Sequence, residues 1–210
     1  MPVAPSPAVV IASEGAARLF RYEPMPGVPA RDPILLSPSL INRLYVLDLK
    51  EGISVVEALR KAGHRVYGID WGEPGPAEHG VSFEGFVERL GRFVDAACAD
   101  AKTDKLHLLG HCLGGTMATA LCATHGERVQ TLINLTAPLS FHDSGLLSKW
   151  TRAPFFDPEA VVAALGHVPP WITQPAFAFC KPMGQPAKAL RLFQALDKPA
   201  GELDAFLETF

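Results

Sequence analysis

Apolar positions along this chain follow two alternating rhythms. Short apolar runs of strand length, Ile34–Pro38, Arg65–Asp70, Lys105–Leu109 and Gln130–Leu135, are separated by stretches with helical spacing. The longest of these stretches runs from Phe83 to about Ala101 and repeats Phe86, Leu90, Phe93, Val94 and Ala97 on one face. A shorter one carries Val55, Val56 and Leu59, opens on Ser54-Val55-Val56-Glu57 as a capping box and ends at Gly63. A third, Thr116–Ala123, is rich in small residues and closes near His125-Gly126, which reads as a C-cap. Ala17–Tyr22 alternates as an edge strand does, and Pro24–Pro33 is rich in turn residues. Residues 1 to 15, dominated by Pro and Ala, predict a loose N-terminal arm.

Strands alternating with helices predict an α/β fold with a mostly parallel sheet, its N-terminal part over residues 16–140. Strands this uniformly apolar are covered on both faces. Ligands in such sheets bind beyond the carboxyl ends of the strands. Ser37-Pro38-Ser39-Leu40, Asp70-Trp71-Gly72 and Cys112 all fall there. From about Ser140 only helices are predicted, with a start at Asp157-Pro158-Glu159, a break at Pro169-Pro170-Trp171 and another start at Pro186. Residues 141–210 therefore read as a helical cap segment over the sheet edge. Leu203, Phe206, Leu207 and Phe210 form one apolar face that stops uncapped, so the chain is expected to be the N-terminal part of a longer protein.

Gly110-His111-Cys112-Leu113-Gly114-Gly115 brings in chemistry. It lies between a predicted strand and a predicted helix, the setting of a nucleophile elbow, with cysteine in the nucleophile's place. Side chains at Gly110 and Gly114 would collide across the turn. The elbow puts the Cys112 sulfur at a helix N-terminus, where unpaired N–H groups and the helix dipole favour the reactive thiolate. The Leu113 N–H is expected to point at the oxygen of an acyl group under attack, half of an oxyanion hole. His111 is expected to pack or line the pocket, since neighbours on a sharp turn point apart. Asp70 is expected to organise its turn with Trp71 and Gly72.

Composition narrows the partners. The 210 residues carry a formal charge of −3, with 48% hydrophobic and 20% charged residues, which leaves no electrostatic footprint for nucleic acid. The four cysteines, Cys98, Cys112, Cys122 and Cys180, have no metal-ligand spacing, so no metal or cofactor is expected. That usage fits a reducing cytoplasm. No segment has the composition of a signal peptide or the length of a membrane span.

With these residues in place, the chain resembles the polyhydroxyalkanoate synthases, most closely their short class III type. Leu40–Leu49, Ile69-Asp70-Trp71-Gly72-Glu73-Pro74, Gly110–Gly115, Phe156-Asp157-Pro158-Glu159 and Val168-Pro169-Pro170-Trp171 carry the likeness, in order, from about Ala12 to Phe210. The resemblance implies an α/β-hydrolase fold and a Cys-His-Asp site that polymerises 3-hydroxyacyl-coenzyme A into a polyester stored in granules. Coenzyme A enters as part of the substrate, not as a cofactor. By position, Cys112 is the acylated residue and Leu113 gives one oxyanion donor. The second donor comes from the Ser39-Leu40-Ile41 loop, with Leu40 as its expected source. Family members carry the Asp and His on loops after two later strands, for which this sequence shows no counterpart. The resemblance also implies cytoplasmic, granule-associated enzyme, with a homodimer and a second synthase subunit as partners. A depolymerase, esterase or thioesterase on the same fold, and a non-catalytic granule-associated protein, remain open at this point.

Overall fold

The computed structural model describes residues 4–175, except 76, 77, 143, 144, 153, 167 and 170. The helices expected from Pro186 and over Leu203–Phe210, and residue Cys180, lie outside the described residues. Two compact units divide the chain near Ser140.

The first unit is built on a six-stranded sheet. Its strands are β1 (Ala8–Glu14), β2 (Ala17–Tyr22), β3 (Arg31–Ser37), β6 (His64–Asp70), β7 (Leu106–His111) and β8 (Val129–Leu135). A small antiparallel pair, β4 (Asp48–Lys50) with β5 (Ile53–Ser54), stands apart from it. The spatial order of the main sheet is β1-β2-β6-β3-β7-β8. β6, β3, β7 and β8 run parallel, while β1 and β2 add an antiparallel margin. The parallel part follows from crossover helices α1 (Val55–Lys61), α2 (Phe83–Ala101) and α3 (Leu113–His125) between successive parallel strands.

Each helix begins where its sequence supplies a cap. Ser54 Oγ accepts the Glu57 N–H, and Ser82 Oγ accepts the Gly85 N–H, each satisfying a donor the helix leaves orphaned. The Glu57 carboxylate reaches the Gly52 N–H and Lys61, not the Ser54 N–H, so the capping box is closed from one side only. The predicted face of α2 is the buried one: Leu90, Phe93, Val94 and Ala97 pack with Leu19, Tyr67, Leu106 and Leu108. A second cluster on Ile34, Leu36, Val56 and Val66 takes in Leu44 and Leu47, which a single 3₁₀ turn over Leu44–Leu47 presents inward.

Three local expectations are corrected. Residues 8–14 are not a loose arm. They form β1, paired with β2 from Ala8 opposite Tyr22 to Glu14 opposite Ala17. Upstream, the Ser6 N–H and hydroxyl donate to the carboxylate of the fully buried Asp48. β2 is consequently not an edge strand, because β1 covers one side and β6 the other. Gly126 does end α3, but at φ −88°, without the left-handed turn that favours glycine.

In the second unit, α4 (Leu146–Trp150) and α5 (Pro158–Leu165) are described. α5 starts as expected: the Asp157 carboxylate accepts the Ala160 N–H, Pro158 fills the first turn, and Gly166 closes the helix at φ 75°.

Candidate active site

β7 runs straight into α3, and Cys112 is the single residue between them. Its backbone sits at φ 54°, ψ −129°, a conformation that L residues rarely adopt. Two backbone hydrogen bonds hold it there. The Cys112 N–H donates to Leu135 O at 2.9 Å, tying the turn to the end of β8. The Gly115 N–H donates to Cys112 O at 2.8 Å, closing the first turn of α3. The flanking glycines then let backbone meet backbone. A Cβ at Gly110 would run into Gly114 and Gly115, and one at Gly114 into the carbonyl oxygens of Ser37 and Pro38. The strain falls on the cysteine while the glycines supply the room.

Cys112 occupies the N-cap position of α3, and its side chain makes no capping hydrogen bond. The half-buried sulfur is therefore not committed to the backbone below it. Leu113 is the first residue of α3, and its N–H has no acceptor within the helix. His111 ends β7 opposite Leu135, half-buried, with its Nδ1 enclosed and unpaired.

The loop after β3 reaches the elbow from the neighbouring strand. Ser37 is paired with Gly110 in parallel register. Ser39 is fully buried, and its hydroxyl accepts the Ile41 N–H at 3.0 Å. That bond occupies the N–H of Ile41, a residue that is 53% exposed. Leu40 between them packs against the main core.

The loop after β6 completes the surroundings. Trp71 is buried, stacked edge-on against Phe86, and its Nε1–H donates to Pro38 O at 3.0 Å. Asp70 accepts two parallel bonds from Arg43, Nε and Nη2 at 2.9 Å each, and a third from the Gly72 N–H at 3.0 Å. Burial alone would raise the Asp70 carboxyl, but Arg43 and the Gly72 N–H outweigh it and hold the group below its ordinary value. Arg43 Nη1 also reaches Glu73 at 3.1 Å. Arg43 is the link between the two loops, a contact between residues 27 apart that no local pattern announces.

His107 lies near the start of β7, edge-on to His64 and 3.9 Å from Asp32, so it belongs to the opposite end of the parallel strands from Cys112. His142 is exposed in the second unit, and Asp143 lies outside the described residues. Among the described residues no three His, Cys, Asp or Glu side chains gather as metal ligands, and no helix is long and apolar enough to cross a membrane.

The comparisons with known proteins bear on the fold and the family. Residues 32–177 match the family model of the alpha/beta hydrolase fold, and residues 1–59 match the N-terminal model of poly-beta-hydroxybutyrate polymerase (PhaC). The poly(3-hydroxyalkanoate) polymerase subunit PhaC of Haloferax mediterranei is 35% identical over 99% of this chain and 42% of its own length. That of Haloarcula marismortui is 36% identical over 86% of this chain and 40% of its own. That of Allochromatium vinosum is 31% identical over 92% of this chain and 56% of its own. The chain thus spans about half the length of these relatives. Among solved structures, a candidate lipase from Sulfolobus solfataricus superposes with a TM-score of 0.52 at 15% identity, covering 77% of this chain and 57% of that one, a likeness of fold alone. By its fold, its motif order and these matches, the chain belongs to the α/β-hydrolase fold family and is a homologue of the poly(3-hydroxyalkanoate) polymerase subunits PhaC.

Proposed function

We propose that this chain carries the nucleophile of a poly(3-hydroxyalkanoate) polymerase, with Cys112 as the residue acylated by a 3-hydroxyacyl thioester of coenzyme A. The observation that carries the reading is the Cys112 backbone at φ 54°, ψ −129°, between a parallel strand and a helix N-terminus. Strain of this kind costs of order 1–3 kcal/mol and persists where a site needs it.

The chemistry is thioester exchange. The Cys112 thiolate attacks the carbonyl carbon of the substrate, and the carbonyl oxygen takes up the negative charge. Collapse of that adduct breaks the carbon–sulfur bond to coenzyme A, which leaves as a thiol after taking a proton. The acyl group is now on Cys112. A hydroxyl from a second 3-hydroxyacyl unit then attacks, its proton passing to a general base, and the thiolate is regenerated with one ester bond made. One thioester is exchanged for another in the first step, so that step is nearly balanced in energy. The Leu113 N–H at the start of α3 is one donor to the oxyanion. Leu40 is assigned the second, a choice supported by the commitment of the Ile41 N–H to Ser39 Oγ. In the family that this chain resembles, the base is a histidine oriented by an aspartate on later strands. The same resemblance supports a cytoplasmic, granule-associated enzyme of class III type, with a homodimer and a second subunit.

The test is incubation with 3-hydroxybutyryl-coenzyme A, followed by peptide mapping and product analysis. One acyl group on Cys112, coenzyme A release and insoluble polyester are expected, all lost in Cys112→Ala. Acylation at another residue would overturn the assignment. Free hydroxy acid in place of polyester would make the protein a hydrolase.

A further inference from the structure

We infer that Arg43, Asp70 and Trp71 are positioning residues that set the oxyanion loop against the elbow. The inference rests on Cys112 being the nucleophile and on Leu40 supplying an oxyanion donor. Such a donor works only within about 2.7–3.1 Å of the developing charge. A displacement of about 1 Å is enough to cost a hundredfold in rate.

Residues 38–43 have no helix or strand of their own to hold them at that tolerance. They are held at both ends by the loop after β6 instead. At the near end, Pro38 O accepts the buried Trp71 Nε1–H. The same carbonyl abuts Gly114, so it lies directly against the first turn of α3, next to Leu113. At the far end, the Arg43 guanidinium meets Asp70 through both oxygens, a planar two-bond contact that fixes direction as well as distance. Asp70 is itself fixed by the Gly72 N–H. Gly72, at φ 74°, lies so close to Ala16 O that no side chain fits there, which anchors the clamp to the start of β2. Beyond Arg43 the chain dives into the core through Leu44. Between the two clamped ends, the only internal tie described is Ile41 N–H to Ser39 Oγ, which shapes the turn that presents Leu40.

The Arg43–Asp70 contact contributes little as a stabilising ion pair. Arg43 is 42% exposed, and ion pairs in that setting contribute weakly to stability. Its effect falls on the placement of the loop, which separates positioning from a merely structural role by experiment.

The experiment compares two reactions at the same sulfur in wild type, Arg43→Ala, Arg43→Lys and Asp70→Asn. Acylation by 3-hydroxybutyryl-coenzyme A passes through an oxyanion. Alkylation by iodoacetamide displaces iodide from carbon, forms a carbon–sulfur bond and needs no oxyanion donor. Arg43→Ala is expected to slow acylation roughly 10- to 100-fold while alkylation keeps its rate. Arg43→Lys, which supplies a point charge without the planar fork, is expected to recover only part of the loss. Asp70→Asn should fall between the two. Acylation and alkylation falling together would mean that the elbow itself is disturbed, and acylation unchanged would mean that the clamp is idle; either overturns the inference. A wild-type protein that is alkylated but not acylated by the coenzyme A thioester would overturn the polymerase reading. A nitrophenyl ester, whose adduct needs the same donors, would then test the clamp alone.

Discussion

At the elbow, residues 110–115, shape comes from backbone meeting backbone. Gly110 faces Gly114 and Gly115, Gly114 faces two carbonyl oxygens, and the strained Cys112 is tied to Leu135 and Gly115. In the adjoining loop, residues 38–43, shape comes from polar side chains reaching across from another loop: Trp71 to Pro38, Asp70 to Arg43, and Ser39 within the loop. The first kind of contact admits no adjustment, because an atom added in a close-packed backbone contact has nowhere to go. The second kind is made of single hydrogen bonds and one ion pair, each replaceable with a graded loss. On the proposed roles, a rigid nucleophile beside a clipped-on oxyanion loop lets donor placement change without changing the nucleophile.

The largest effect that sharpens this contrast is expected at Gly114→Ala. The new Cβ meets the carbonyls of Ser37 and Pro38, which are backbone and cannot swing aside. A loss of about 3 kcal/mol is expected, the upper range for overpacking, read as a lower midpoint in urea unfolding. A midpoint within error of wild type would show that the elbow has slack, and the contrast would collapse.

Trp71→Phe is expected to cost less, about 2 kcal/mol, because Pro38 O loses its buried donor while the ring keeps most of its packing. Unlike Gly114→Ala, it should leave Cys112 alkylation intact. Equal loss of both would place Trp71 with the elbow, not with the clip.

Cys112→Gly is expected to move the other way. Strain at φ 54° disappears, glycine brings back some chain entropy, and the net gain is about 1 kcal/mol with the proposed nucleophile gone. A higher unfolding midpoint in an inactive variant is the signature of strain kept for function. A lower midpoint would mean that the sulfur packs more than it strains.

The same contrast governs what could be read from the chain beforehand. The elbow was legible because its signal is local, two glycines and one cysteine with a strand before and a helix after, although Leu135 and the Ser37 and Pro38 carbonyls also close on it. The central strands and α2 were legible for a related reason: the strands are continuous apolar runs, and the buried face of α2 repeats at helical spacing. The clip was not, since Arg43 and Asp70 are far apart in sequence and each alone resembles a solvated charge. Pairing misled in the same way at the N-terminus. Pro2, Pro5 and Pro7 suggested a loose arm, yet Val9, Val10 and Ile11 go on to form β1 on a partner already counted as an edge. What a strand pairs with, and what a charge meets, are settled by the whole sheet.

Asp70 offers the smallest and most selective test. Burial pushes its carboxyl upward, but the bonds from Arg43 and Gly72 prevail, so its folded value lies below the ordinary 3.8. A carboxyl depressed by folding contributes its stability in full above the unfolded value and loses it as pH falls through the folded one. The clip is therefore intact at neutral pH and weakens only in acid below about pH 4, by less than about 1 kcal/mol given the exposure of Arg43. Unfolding free energies of wild type and Asp70→Asn, measured from neutral pH downward, should differ above pH 4 and converge below it. The backbone contacts of the elbow carry no proton and should show no matching step when Gly114→Ala is measured over the same range. A gap that persists into acid would mean that Asp70 acts through shape, like the elbow, and not through its charge on Arg43.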